Sequence, residues 1–251
     1  MNKGQKTLVT AASLVVFGIS AVVSQAHAFG LRVPQVNVLG GTLQGYLNAQ
    51  GESINVLTDQ QDAQVWATSA SDNGLLTLKV ELTGNAPVNT LGIYNASNPS
   101  PPLYQVFPGT ASAGWFAVMS FRSAPVRVVV NLFDNNAAFV GSTTYLGVDP
   151  NNFGFYLQSP TGPVLYSQDS RNPGGSAQML AYQGTGINAG EWWLCWEDTA
   201  VNGAGVSPAF ASAAGSASDQ DYDDAVCILE SINPLATQQA SLGAVKAMFR
   251  K

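Results

Sequence analysis

Histidine is almost absent from this chain: one residue in 251, His27, and it lies in a segment read below as a removable leader. A chain without histidine cannot build a Ser-His-Asp triad, a Cys-His dyad or a histidine-bound zinc site. Charge is scarce too, at 10% of residues. Disordered chains are rich in charge and poor in aromatics, so 10% aromatic and 46% hydrophobic residues point to a packed core, in one domain or two small ones. Base is the scarcer sign. Ten Lys and Arg against 16 Asp and Glu leave a net −6, which speaks against nucleic acid, whose affinity comes from neutralising phosphates. There are two cysteines, Cys195 and Cys227, and one long apolar run, 8–23.

That run is framed as an address. Lys3 and Lys6 precede it, and Ser24-Gln25-Ala26-His27-Ala28 follows, with small residues at the A-x-A positions. The pattern predicts a signal peptide over 1–28, cleaved before Phe29. No cysteine lies beside the site, so a lipid anchor is not indicated, and no later stretch approaches the roughly 20 apolar residues that span a bilayer. The expectation is an exported chain, secreted, surface-bound or periplasmic, with no transmembrane anchor after maturation. Losing two lysines and no acid would take its net charge to −8.

Beyond the leader the pattern is two-residue alternation between turn signals. Leu76, Leu78, Val80 and Leu82 alternate with Thr77, Lys79 and Glu81, and Val126, Val128, Val130 and Leu132 repeat the device. Shorter strand candidates are 33–39, 116–121, 153–157, 164–167, 179–182, 191–196 and 225–229, separated by Gly-, Asn- and Pro-rich turns. Many short strands without helical periods predict an all-β antiparallel sandwich over 29–233, with the jelly roll as one form of it. Asn95-Ala96-Ser97 is a formal glycosylation sequon, relevant only in a eukaryotic secretory pathway. After Thr237-Gln238-Gln239, which reads as linker, Leu242, Val245 and Phe249 fall at helical spacing beside Lys246, Arg250 and Lys251. A short basic amphipathic helix is expected there, as a docking tag or simply a frayed end.

Between Arg171 and Lys246 there is no base, yet half of the chain's acids fall there. Two groups stand out: Glu197-Asp198 after one strand candidate and Asp219, Asp221, Asp223 and Asp224 before the next. Gathered carboxylates repel one another unless a cation intervenes, and clustered hard oxygens are what calcium selects. Asp219, Asp221, Asp223 and Glu230 match positions 1, 3, 5 and 12 of an EF-hand loop, but Asp224 stands where that loop needs glycine. A loop-borne calcium site is therefore the sharper reading, and a solvated acidic loop the blander one. Cys195 and Cys227 lie inside the two flanking strands. If those strands pair with 195 facing 227, Asp198 faces Asp224, and an oxidising compartment favours a disulfide worth about 3–4 kcal/mol; two buried thiols are the alternative.

Phe153-Gly154-Phe155-Tyr156-Leu157, Tyr166-Ser167-Gln168-Asp169, Asn172-Pro173-Gly174-Gly175, then 178–182, Trp192 to Asp198 and Ser218 to Asp224 with 225–230 form an ordered series. It resembles the bacterial secreted family catalogued as "domain of unknown function 4114", whose hallmark is W-E-D, then D-x-D-Y-x-D and a strand. The resemblance covers residues 150–233. It implies a β-sandwich on exported or surface proteins, often regarded as calcium-binding, with Glu197, Asp198, Asp219, Asp221, Asp223 and Asp224 as the ion site. The chain departs from that pattern in its Ala-, Gly- and Ser-rich insert, 199–217.

An enzyme without histidine would need a carboxylate pair with one member kept protonated by burial. Acids beside glycines and serines are poorly placed for that, and Glu81, Asp134 and Asp169 read as surface residues. The expectation is a non-catalytic protein with a structural, surface or matrix role, stabilised by calcium. The rival is a calcium-dependent carbohydrate-binding or adhesion module, with Tyr94, Tyr104 and Trp115 as its aromatic faces around a presumed loop, 95–114. Partners expected on either reading are a glycan, a cell surface or a second copy through open sheet edges.

Overall fold

The computed structural model describes residues 30–69, 72–81, 88–159, 162–201 and 218–235. The expected leader, the expected C-terminal helix and residues 202–217 of the insert lie outside them. Among the described residues there are thirteen strands in two antiparallel sheets, an all-β sandwich larger than an eight-stranded jelly roll.

The larger sheet runs, in spatial order, β10 (Met179–Gln183), β11 (Trp192–Trp196), β12 (Ala225–Glu230), β2 (Asn73–Glu81), β5 (Phe116–Ser123), β6 (Val126–Phe133) and β7 (Phe139–Leu146). The smaller runs β13 (Ile232–Pro234), β1 (Trp66–Thr68), β8 (Phe153–Gln158), β3 (Thr90–Asn95) and β4 (Tyr104–Phe107), with β9 (Val164–Tyr166) also on β8. Alternation decides what lies between them. Leu76 and Leu78, Val128 and Val130, and Trp192, Leu194 and Trp196 point inward to meet Leu91, Ile93, Phe153 and Phe155 of the smaller sheet. Trp66 anchors this core, its ring edge-on to Trp192 at 5.6 Å and to Phe155 at 5.7 Å. Each such pair adds about 0.5–1.5 kcal/mol beyond its area.

Each sheet's outer face is covered in part. Over β10–β12 lies the segment 36–56, including helix α1 (Thr42–Ala49), whose Leu43 and Leu47 reach Trp193, Cys195 and Val226. Residues 33–39 are therefore irregular and not the strand that alternation predicts: Gly40 and Gly41, both at positive φ, turn the chain into the helix instead. On the smaller sheet Tyr94, Tyr156 and Tyr166 cluster, with Arg171 over the Tyr94 and Tyr166 rings. Gly154 makes room for them, since a Cβ there would lie 2.4 Å from the Tyr94 ring.

The cysteine expectation is overturned by register. Cys195 pairs with Val226, and Cys227 with Leu194. That is one residue away from direct opposition, and side chains alternate faces. Cys195 thus points into the layer under α1, Cys227 into the core between the sheets, and no disulfide joins them. The presumed loop 95–114 is also corrected, because Tyr104–Phe107 is strand β4 within it. No helix among the described residues is long and apolar enough to cross a membrane.

Candidate metal centre

The same one-residue shift builds the acidic site. Continuing the β11–β12 register places Glu197, just after β11, opposite Asp224, just before β12. Both lie on the outer face that carries Cys195 and Val226. The loop leading into β12 supplies the rest. Gln220 (φ 58°) and Tyr222 (φ 57°) are left-handed, a conformation uncommon outside glycine. They curl the chain so that Asp219 and Asp221 turn toward Glu197. The Tyr222 ring is buried and its hydroxyl donates to the Ala177 carbonyl at 3.0 Å, while the Leu39 amide donates to the Gln220 carbonyl at 2.9 Å. These bonds hold the curl in place.

Glu197, Asp219, Asp221 and Asp224 each contribute one carboxylate oxygen to a group lying within 4.8 Å of one another. Oxygens that far apart can sit across a single ion at a metal–oxygen distance of about 2.4 Å, within calcium's range and longer than magnesium's. Glu197 is only 1% exposed, and its Oε2 has no hydrogen-bond partner. Its other contacts are the Ser218 hydroxyl and the Asp224 carboxyl, and a carboxyl–carboxyl hydrogen bond requires a proton on one of them. Burial, then the Asp224 charge, pushes Glu197 up to about 9. Burial also raises Asp224 to about 7, with the Asp198 charge adding to it, and Asp221 to about 6, with the Asp223 charge adding to it. The expectation that these acids sit in a poor place for raised pKa values is thus wrong: Glu197 is under a packed layer, not among exposed glycines.

Two of the six expected ligands are outside the group. Asp198 accepts from the Asn89 amide at 3.0 Å and from the Thr199 hydroxyl at 3.1 Å, while its own backbone N–H donates to Asp224 Oδ2 at 2.8 Å. Asp223 is buried, its backbone N–H donating to Asp221 Oδ1 at 3.2 Å and its charge felt at Cys195. Asn89 lies outside every motif of the sequence, and nothing local marks it; Ser218 opens the second acidic element, but as a neighbour of the acids and not as a ligand.

None of the three aromatics is fully exposed. Tyr94 is buried in the tyrosine cluster, Tyr104 is buried in the core against Tyr145, and Trp115 is half-buried against the core. Asp169 is likewise not a surface acid. It pairs with buried Arg32, and burial raises its pKa against the lowering pull of that guanidinium. The pair lies at one wall of a cavity of about 310 Å³, which none of the four clustered acids lines.

No protein-family model matches the chain, and no curated protein matches it.

Proposed function

We propose that the protein is an exported, non-catalytic β-sandwich with a structural role at the cell surface or in the extracellular matrix, stabilised by calcium at the Glu197–Asp224 corner. One observation carries the ion: four carboxylate oxygens within 4.8 Å, the deepest belonging to a glutamate that is 1% exposed and has an oxygen without a hydrogen-bond partner. Burying such a charge unpaired is costly, and a divalent cation offsets it. Export is supported by the basic start, apolar run and A-x-A site of residues 1–28. A non-catalytic role is supported by the lack of histidine beyond the leader.

The test is thermal. An ion that binds only the folded state stabilises it by RT ln(1+[L]/Kd), about 2.7 kcal/mol at a hundredfold excess over Kd. Millimolar calcium should raise Tm by several degrees, chelator should reverse the gain, and magnesium should do less because it keeps its own water. Identical melting curves in calcium, magnesium and chelator would sink the reading.

A further inference from the structure

Strands at the end of a sheet expose unpaired backbone groups, and soluble proteins blunt them by covering, shortening, proline or charge. Four of the five ends here are blunted, β9 by its three-residue length and by Asn172, whose side-chain amide bonds both the N–H and the C=O of Tyr166. β10 is covered, its Ala181 carbonyl accepting from the Gln61 amide at 2.9 Å. β13 has three residues and ends in proline; β4 has four and is followed by Pro108. The fifth end, β7, has eight residues, Phe139–Leu146. No charged residue and no proline occurs from 135 to 148.

The direction of its backbone groups follows from the ladder. The Gly147 amide donates to the Val126 carbonyl at 2.8 Å, so residues 145, 143 and 141 are the ones that bond to β6, because bonded and non-bonded pairs alternate. Ser142, Thr144 and Leu146 therefore turn their N–H and C=O groups away from the sheet. One edge-protecting device is present, a bulge at Val140, where the β6–β7 register shifts between Leu132 and Phe133. It sits at the start of the strand and leaves 142–146 regular. The edge also carries exposed apolar side chains, Phe139 at 61% and Leu146 at 68%.

We propose that β7 pairs antiparallel with β7 of a second copy of this chain, joining two seven-stranded sheets into one across a two-fold axis. The chemistry favours a like partner. Two copies of β7 laid side by side put no like charges opposite one another, because no charged residue occurs from 135 to 148. A partner edge must also be long and unblunted, and β7 is itself such an edge. With the remaining ends blunted, the pairing closes at a dimer and does not propagate. The inference extends the structural role proposed above to assembly, and it uses none of the acidic residues.

Light scattering over about a hundredfold range of protein concentration should show the mass rising from one chain to two. Amide exchange at Ser142, Thr144 and Leu146 should slow only at the high end. Thr144→Pro removes an outward N–H without removing a bond to β6, and Thr144→Lys adds a gatekeeping charge. Each should leave the protein monomeric at every concentration, with the Tm of the dilute wild-type monomer. Chelator should leave the dimer intact, so failure of the ion reading and failure of this one are separable. Wild-type protein that stays monomeric overturns the proposal. So does a dimer that survives both Thr144 variants but is lost in Phe139→Ser, because that dimer would stack sheet faces instead of pairing edges.

Discussion

Cys195 and Cys227 stand on adjacent strands yet face opposite sides of the same sheet, one under α1 and the other in the core between the sheets. Such a pair cannot be bridged, because a disulfide needs both Cβ vectors to converge. Reductant should leave Tm unchanged, and intact mass should be the same before and after reduction. Both thiols should react with an alkylating reagent only once the chain is unfolded, since each is buried and burial holds the Cys195 thiol well above its usual pKa. A mass two protons light before reduction would contradict the register.

That pair also shows how far alternation in the sequence reaches. Alternation along 191–196 puts Trp192, Leu194 and Trp196 on one face, and that face lies in the core. It says which residues share a face, but not which residue of the next strand lies opposite. The assumption that two cysteines mark the register was wrong by one, and that slip exchanges Asp198 for Glu197 as the residue opposite Asp224. β3 escaped notice because four of its six residues are buried, so no polar face alternates. β7 escaped for the opposite reason: it is exposed along nearly its whole length, and Gly141 to Thr144 carry no apolar period. The acidic corner was legible as composition. Its membership was not, because two left-handed residues set where the aspartates of the loop point.

The membership can be checked by substitution. Asp221→Asn and Asp224→Asn should each abolish most of the calcium-dependent rise in Tm, since each removes one of the four converging oxygens. Asp198→Asn and Asp223→Asn should keep it, because their carboxylates lie outside that group. Asp198→Asn should still lower stability by about 1–3 kcal/mol, the cost of weakening a buried charge-assisted hydrogen bond to Asn89. Loss of the calcium response in Asp198→Asn but not in Asp224→Asn would show that the wrong carboxylates have been assigned.

The tyrosine cluster on the smaller sheet depends on a missing side chain. Gly154→Ala would drive a methyl to 2.4 Å from the Tyr94 ring, which is held by a hydrogen bond from its hydroxyl to Gln168 at 3.0 Å and by Arg171 over its face. The ring cannot move without losing both. Overpacking of this kind costs about 1–3 kcal/mol or more, so urea denaturation should show a midpoint well below wild type with an unchanged slope. Gly141→Ala, where the added methyl meets nothing within 4 Å, is the control and should be close to neutral.

Stability should fall with rising pH when no cation is present. Glu197 has a folded pKa of about 9, against about 4.3 for a solvated glutamate. Between those values the folded chain holds a proton that the unfolded chain has released, so the unfolded state gains on the folded one as pH rises. Asp224, at about 7, and Asp221, at about 6, act in the same direction over narrower windows. In chelator, Tm should therefore decline across neutral and mildly alkaline pH and level off above about 9. Calcium takes the place of those protons, so its stabilising effect should grow over the same interval. Glu197→Gln carries no charge at any pH. In chelator it should flatten much of the decline and melt above wild type at about pH 8, yet it should gain little from calcium. If the variant instead melts far below wild type in chelator and keeps the full calcium response, Glu197 is a packing residue and the corner is not an ion site.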